Sequence, residues 1–420
     1  MRGVRLIRGL GLGLGLVIMM GCSLISGVPS VPEVPEVPVA VTGTPVATSS
    51  PTQPVVPSTV QVCPIRRDLT PPLRASNSPE DTDVFIAAVG AYLTEGGDPE
   101  QVSLQELESV RQSDLTGDGG LETIYALNVA RPDQVVPEGL LVVFSCQSGA
   151  VIQIYRYEAG EGNGLELITT QDLTQDGTAD LVFSQYTCGA HTCWHTPNVW
   201  SWQDHDFVNR MGAPFQYPYP TYSLEDAVLV VSSAGQGSVG AGPQRVTTTT
   251  LTWNGSVITV TEEVTAAPVY RYHAFLDGDR ALSAGDAAKA EALFRSVIED
   301  DGLDSWGALV SAEDERLWLE ALAWWRLMIV HASAGDTAAL ESAYAVVAQL
   351  DSAVAGAPVQ ALAERFQRSF ARDGDWLAAC TYAVGAPEAG EALGVLNSFG
   401  YANPVYEIAD LCPSLAYSRP

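Results

Sequence analysis

The pattern of hydrophobic and polar positions changes once along the chain, near Pro268. Before that point, apolar and polar residues alternate in short runs such as Thr123–Val129 and Gly139–Cys146, and a period of two is typical of a half-buried β-strand. After Pro268 the apolar positions recur about every 3.6 residues, the period of an amphipathic helix. The pattern predicts a multidomain chain of the β plus α class, with a β-rich domain at 63–267 and a helical domain at 268–420.

Local signals refine the β domain. Asn254-Gly255 separates two β-forming runs, and an Asn-Gly pair in that position is a strong hairpin signal. We therefore expect antiparallel strands in an open, propeller-like or sandwich-like arrangement. One helix is expected at the start of the domain, after residue 80, with Val84, Ala87, Ala88 and Ala91 on one face.

A weak repeat runs through the helical domain. Three Gly-Asp pairs are each followed, five and nine residues after the glycine, by a small or apolar residue; the pairs are Gly285-Asp286, Gly335-Asp336 and Gly374-Asp375. The pattern resembles the turn and second helix of tetratricopeptide repeats, which implies a solenoid-like array that binds peptide or protein. The copies are 50 and 39 residues apart, whereas that family uses 34. A generic helical bundle therefore stays the alternative.

The N-terminus carries an export signal. A basic segment precedes an apolar run at 9–20 that is too short to cross a bilayer, so residues 1–21 are expected to be a secretory signal peptide. Gly21-Cys22 and its flanks resemble a bacterial lipobox, although Met19 stands where that motif usually has leucine. The resemblance implies cleavage before Cys22 and lipidation of its thiol. An ordinary signal peptide is the alternative.

A stalk is expected between this signal and the β domain. Residues 22–62 contain eight prolines and no aromatic side chain. Such a composition buries no core and favours extended polyproline II structure. Residues 22–62 are thus expected to hold a folded domain away from a membrane, which the chain contacts only through the lipid of Cys22.

Charge and cysteine content indicate the compartment of the protein and the classes of partner that it can bind. The chain has 21 basic and 50 acidic residues, a formal net charge of −29, and Lys289 is its one lysine. Affinity for nucleic acid depends on clustered cations, so a nucleic-acid partner is excluded. Six cysteines follow Cys22, an even number that allows fifteen pairings in an oxidising, extracytoplasmic compartment. Proximity in sequence favours Cys188–Cys193 and Cys380–Cys412, which leaves Cys63–Cys146.

Two acidic loops carry the most specific chemical signal. Each has oxygen-bearing side chains at positions 1, 3, 5 and 9, glycine at position 6, and a strand-like run directly after it. The first loop contains Asp114, Thr116, Asp118, Gly120 and Glu122; the second, 58 residues later, contains Asp172, Thr174, Asp176, Thr178 and Asp180. Ca²⁺ takes six to eight oxygen ligands from alternating side chains and a backbone carbonyl, which here would come from Gly120 or Thr178.

The loops resemble those of FG-GAP or VCBS repeats, the blades of integrin-like propellers. That resemblance implies a structural Ca²⁺ in each loop and the ten ligand positions given above. The third position departs from the family, which prefers Asn or Asp, and a hydrogen-bonded Asp-Gly hairpin without metal is the alternative. A third, degenerate copy begins near Tyr222, where 224–227 keeps the strand without the acidic loop. Three units are fewer than a closed propeller requires.

Other motifs point to no reaction. Two histidines, His191 and His195, lie beside Cys188 and Cys193; zinc would accept all four donors, but in an exported protein a disulfide is favoured, with both histidines exposed. The G-x-G-x-x-G match at 235–240 leads into a strand rather than a helix, so a glycine-rich hairpin loop is favoured over a dinucleotide site.

These observations favour a non-enzymatic lipoprotein of the bacterial cell envelope. We expect a membrane-anchored, surface-exposed or periplasmic module, stabilised by Ca²⁺, that binds or scaffolds protein or carbohydrate ligands. No catalytic motif is present in the sequence. The alternatives are an envelope hydrolase with unidentified carboxylate catalysts and an envelope assembly factor that works through its helical array. Two convergent carboxylates in a cleft away from the acidic loops would favour the hydrolase.

Overall fold

The computed structural model describes five stretches of the chain: residues 63–102, 109–131, 134–307, 311–350 and 356–413. The expected signal peptide, the stalk and the lipidation of Cys22 lie outside these stretches. Within them, no helix combines the length and the apolar character that crossing a membrane requires.

The strands are, in chain order, β1 (Ser109–Ser113), β2 (Glu122–Val129), β3 (Glu138–Gln147), β4 (Ala150–Glu158), β5 (Gly164–Gln171), β6 (Asp180–Cys188), β7 (Cys193–Gln203), β8 (Asp206–Asn209), β9 (Tyr217–Pro218), β10 (Pro220–Glu225), β11 (Val228–Ser233), β12 (Thr247–Trp253) and β13 (Ile258–Thr265). The α-helices are α1 (Pro79–Thr94), α2 (Arg271–Ser283), α3 (Ala287–Glu299), α4 (Ala312–Ala334), α5 (Thr337–Val347), α6 (Gly356–Asp373), α7 (Trp376–Val384) and α8 (Ala389–Ala392).

The strands form three antiparallel sheets. Strands β1 to β4 make the first sheet, β5 to β8 the second and β10 to β13 the third, each in sequential order, and β9 pairs with β7 at the edge of the second. None of the three closes into a ring within the part of the chain that the structure describes. The predicted fold class, an open antiparallel β domain followed by helices, is confirmed.

The second sheet lies between the other two and is apolar on both faces. Leu181 and Phe183 belong to the cluster shared with Leu141 of the first sheet. Val182, between them in sequence, belongs to the cluster shared with Leu229 of the third sheet. Successive residues of a strand point to opposite faces, so β6 contributes to both cores at once. This packing of sheet on sheet makes the β domain an open stack of antiparallel sheets.

Helix α1 covers the outer face of the first sheet. Phe85 and Val89 pack in one cluster with Phe144 of β3. The helix itself is predicted correctly, and the four residues grouped on one face lie on its exposed side: Val84 is 69% exposed, and the three alanines are exposed as well. The stripe with the aromatic side chains of Phe85 and Tyr92 offers far more apolar area than the alanine stripe, so burial favours it.

The third sheet replaces the acidic loop by a tight turn. Asp226 and Ala227, between β10 and β11, have φ values of 46° and 64°, the left-handed conformation of a two-residue hairpin turn. The same connection in the first two sheets is made by the acidic loops. The degenerate third copy near Tyr222 is therefore a four-stranded sheet that has lost the loop and kept the strands.

The described part of the helical domain contains three antiparallel hairpins, α2–α3, α4–α5 and α6–α7, followed by α8. In each hairpin the turn has a glycine with positive φ, namely Gly285, Gly335 and Gly374. The aspartate after each glycine caps the second helix, because its side chain accepts a backbone N–H of the first turn. The weak Gly-Asp repeat of the sequence thus marks the turn of every hairpin. Membership in the tetratricopeptide family stays a prediction.

Residues after α8 fold back onto the hairpins. The indole of Trp325 and the guanidinium of Arg326 both donate to the Leu411 carbonyl, at 3.0 and 2.9 Å. Both residues are 1% exposed or less, so the C-terminal segment completes the core of this domain rather than lying on its surface.

Three disulfides are present: Cys188–Cys193 and Cys380–Cys412, the pairs that proximity in sequence favoured, and Cys63–Cys146, the pair that remained. The first closes the β6–β7 hairpin, the second fastens the C-terminal segment to α7, and the third ties the start of the described chain to β3. Disulfides persist in oxidising compartments, and these three indicate an extracytoplasmic protein.

Candidate functional site: paired acidic loops and the cavity beside them

The first acidic loop is organised by its own carboxylates. Asp114 accepts the N–H groups of Gly117 and Gly119 at 2.8 and 3.0 Å. Asp118 accepts the N–H of Gly120 at 2.7 Å. Gly117 and Gly119 both have positive φ, which a residue without a Cβ adopts at little cost, so the loop can turn tightly around Asp114.

The carboxylate at position 9 lies inside the fold. Glu122 is 1% exposed, and one of its oxygens accepts the N–H groups of Leu115 and Thr116 at 2.8 and 3.1 Å. Its other oxygen accepts the hydroxyls of Thr116 and Ser145 at 3.3 and 2.9 Å. Burial raises the pKa of Glu122, while these hydrogen bonds act in the opposite direction.

The second loop repeats this arrangement. Asp180, 1% exposed, accepts the N–H groups of Leu173 and Thr174 at 2.7 and 2.8 Å and the hydroxyls of Thr174 and Ser201 at 3.2 and 2.5 Å. Burial raises the pKa of Asp180 too, against the same hydrogen bonds. Glu122 and Asp180 thus play the same structural role, because each joins its loop to the third strand of its own sheet.

The outer carboxylates of the second loop also bind backbone groups. Asp172 accepts the N–H groups of Asp176 and Gly177 at 3.2 and 2.9 Å, and Asp176 accepts that of Thr178 at 2.9 Å. The two loops lie side by side, since Ala179 N–H donates to the Asp114 carbonyl at 3.2 Å. This contact joins the first and second sheets at one end of the stack.

The acidic side chains of the two loops do not form a cluster of three. Across the described stretches, no three Asp, Glu, His or Cys side chains surround a common point suited to a metal ion. Glu122 and Asp180 are instead engaged with backbone N–H groups and hydroxyls, which is the arrangement of the hydrogen-bonded alternative. Calcium binding stays a prediction.

An apolar cavity lies beside the first loop, and the sequence pattern did not predict it. It has a volume of about 370 Å³ and is formed by residues from distant parts of the chain. Its walls include the Cys63–Cys146 disulfide, Leu93 of α1, Phe144 of β3 and Leu121 of the acidic loop. Ile65 and Leu121 are 57% and 59% exposed at the cavity, so apolar surface continues from the interior to solvent.

A second cleft, of about 500 Å³, is lined by two carboxylates and is therefore relevant to the hydrolase alternative. Asp279 and Asp410 both line it, away from the acidic loops. Asp279 accepts two N–H groups of Arg326 at 2.7 and 3.2 Å and the hydroxyl of Tyr406 at 2.9 Å. Asp410 accepts the N–H of Glu407 at 2.6 Å. Both carboxylates thus hold the C-terminal segment in place, and the hydrolase stays an untested hypothesis.

The histidines beside the Cys188–Cys193 disulfide differ from each other. His191 is exposed, as expected. His195 is not: its side chain is only 14% exposed, it stacks on Tyr186 within the second sheet, and burial lowers its pKa. The expectation of an exposed loop residue was wrong because the β7 strand begins at Cys193, two residues before His195.

Comparisons with known proteins add no family to this description. A scan against protein-family models finds no match to the sequence, and a search of curated proteins finds none either.

Proposed function

We propose that the protein is a membrane-anchored, extracytoplasmic binding module that takes an apolar group of a protein ligand into the cavity beside the first acidic loop. The cavity supports this proposal because its volume of about 370 Å³ lies in the range of ligand pockets. Its lining is mostly apolar, with few polar groups such as Gln112 and Thr123. Such a surface suits an aliphatic or aromatic side chain better than a sugar, whose hydroxyls need polar partners.

The position of the cavity fits a tethered module. Cys63, Pro64 and Ile65 form part of its wall, and the proline-rich segment ends directly before them in the sequence. A ligand bound there lies next to the point at which the stalk joins the domain. The three helical hairpins are a second surface of the kind that binds peptide, which would make the protein a scaffold for two partners.

The anchor is tested by replacing Cys22 with serine. Serine has no thiol to acylate, so we expect Cys22→Ser to move the protein from the membrane fraction to the soluble fraction. Membrane pelleting followed by a carbonate wash measures this directly. A Cys22→Ser protein that stays in the washed membranes would show that the anchor lies elsewhere.

The cavity is tested by site-specific photo-crosslinking in intact cells. A benzophenone amino acid in place of Leu121 is expected to form a covalent adduct with the ligand, because this side chain lies at the cavity. The matched control is the same amino acid in place of Val135, which is 97% exposed and does not line the cavity.

A second comparison in the same cells places the benzophenone amino acid at Ile65 and compares labelling with and without the Leu121→Asp substitution. A carboxylate at the cavity should abolish the adduct, since apolar ligand groups avoid a charged surface. Equal labelling from positions 121 and 135, or labelling from position 65 that survives Leu121→Asp, argues against a ligand in this cavity.

A further inference from the structure

The β domain and the helical domain meet along a seam of backbone contacts. One side is the glycine loop, which we define as residues 234–246 between β11 and β12; the other is the segment 399–403 after α8. Tyr401 N–H donates to the Gly240 carbonyl at 3.1 Å, and Ala402 N–H donates to the Ala241 carbonyl at 3.2 Å. The G-x-G-x-x-G match of the sequence therefore belongs to a contact between domains.

Gly242 makes the closest approach in the seam. Its φ is +90°, and a Cβ at this position would collide with the Phe399 carbonyl. The ring of Phe399 in turn stacks on Tyr272 of α2, with centroids 3.7 Å apart. The seam thus closes only when the glycine loop, the C-terminal segment and α2 are all in place.

An ion pair crosses the same seam. Arg245 of the glycine loop donates from both terminal nitrogens to Asp277 of α2, at 2.7 and 2.6 Å. The Arg245 side chain is 7% exposed and that of Asp277 23%. Arg280 also donates to Asp277, at 3.2 Å. The carboxylate is therefore already shared by two guanidinium groups.

His273 is buried beside this pair, near the Pro243 carbonyl, which compensates only in part for that burial. The residue is 3% exposed, and neither ring nitrogen has a hydrogen-bond partner at normal geometry; the hydroxyl of Tyr272 is likewise unpaired. Buried polar groups of folded proteins almost always have partners, so an unpaired imidazole in an interface calls for an explanation.

The surroundings of His273 oppose its positive charge. Burial lowers its pKa most, and the Arg245 and Arg280 guanidinium groups act in the same direction. The Pro243 carbonyl and Asp277 act in the opposite direction, and the rings of Tyr270 and Tyr272 pack against the imidazole. The closed seam therefore holds His273 in its neutral form.

We propose that the seam is an acid-sensitive contact: protonation of His273 opens it, and the two domains then move as separate bodies while each stays folded. The imidazole binds protons less readily in the closed state than in water, where its pKa is about 6.5. Lowering the pH below that value therefore favours the open state by linkage. The seam is fully closed above the ordinary pKa of histidine and weakens as the pH falls through it.

Hydrogen exchange of the full chain at pH 7.5 and pH 5.0 tests this proposal. After correction for the intrinsic pH dependence of exchange, we expect the amides of Tyr401 and Ala402 to lose protection at pH 5.0, by at most about thirtyfold, the limit that linkage sets about 1.5 pH units below the ordinary histidine pKa. Amides within β3 and α4 should keep their protection at both values.

Variants separate the imidazole from other acid effects. His273→Phe and His273→Gln do not titrate, so both should keep the seam protected at pH 5.0; two replacements are used in case one does not fold. Gly242→Ala should open the seam at both pH values and shows that the assay detects opening. Unchanged protection in the wild type, a loss that persists in both neutral variants, or a simultaneous loss within β3 and α4 would overturn the proposal.

Discussion

Glu122→Ala is expected to lower the free energy of unfolding of the β domain by about 3–5 kcal/mol. The change removes an acceptor that serves Leu115, Thr116 and Ser145 at a position that is 1% exposed. Of the donors left behind, Leu115 and Ser145 are buried and Thr116 is half-buried, and each buried unsatisfied one costs about 1–3 kcal/mol. Chemical denaturation followed by tryptophan fluorescence measures this loss of stability. Asp180→Ala should cause a similar loss in the second sheet.

Glu122→Gln is the matched control. Its amide oxygen can accept the two backbone N–H groups, and the hydroxyls of Thr116 and Ser145 can rotate to accept from the amide N–H groups. We therefore expect Gln to restore most of the stability that Ala loses. If Gln and Ala were equally destabilising, the carboxylate charge rather than its hydrogen bonds would hold the loop.

Thermal unfolding of the wild-type protein tests whether the two loops bind calcium. Three acidic side chains within nine residues repel one another, and a bound ion would remove that repulsion. Calcium binding predicts that the β domain melts at a higher temperature in millimolar CaCl₂ than in EGTA. The expected stabilisation is about 2.7 kcal/mol at a Ca²⁺ concentration one hundred times the dissociation constant. Asp118→Ala combined with Asp176→Ala should erase the difference. Identical melting of the wild type in both buffers would leave the loops as hydrogen-bonded turns without metal.

Removal of the Cys63–Cys146 disulfide is expected to cost about 4–5 kcal/mol. The bond closes a loop of 83 residues that contains α1 and most of the first sheet, so its loss frees a long segment of the unfolded chain. The sulfurs also line the apolar cavity. Cys63→Ala with Cys146→Ala, measured by thermal unfolding, should therefore destabilise the first sheet and weaken ligand capture at Leu121.

The Cys188–Cys193 bond is the internal comparison. It spans only five residues, and the loop-closure estimate for so short a span is about 2 kcal/mol. Replacing both cysteines by alanine should therefore cost roughly half as much. If removing Cys188–Cys193 lowered the stability more than removing Cys63–Cys146, loop closure would not explain how these disulfides stabilise the protein.

The sequence by itself determined what depends on short-range spacing. Alternation and the helical period separated the β domain from the helical domain, because burying one face of a strand or helix imposes its period on the sequence. The Asn254-Gly255 turn and the three Gly-Asp turns were also readable, since a positive φ and an N-cap select particular residues at single positions. The pairing of the two acidic loops as equivalent units followed from the same local constraint.

The tertiary structure alone decided which faces are used and which distant segments meet. Helix α1 buries Phe85 rather than Ala87 because the sheet selects the stripe with the greater apolar area. The spacing marked Glu122 as an acidic loop residue, and only the fold shows that it is buried against Ser145, a partner 23 residues away on another strand. Neither the cavity nor the seam at Gly242 has a local signature, because their walls come from segments far apart in the chain and no periodicity links such residues.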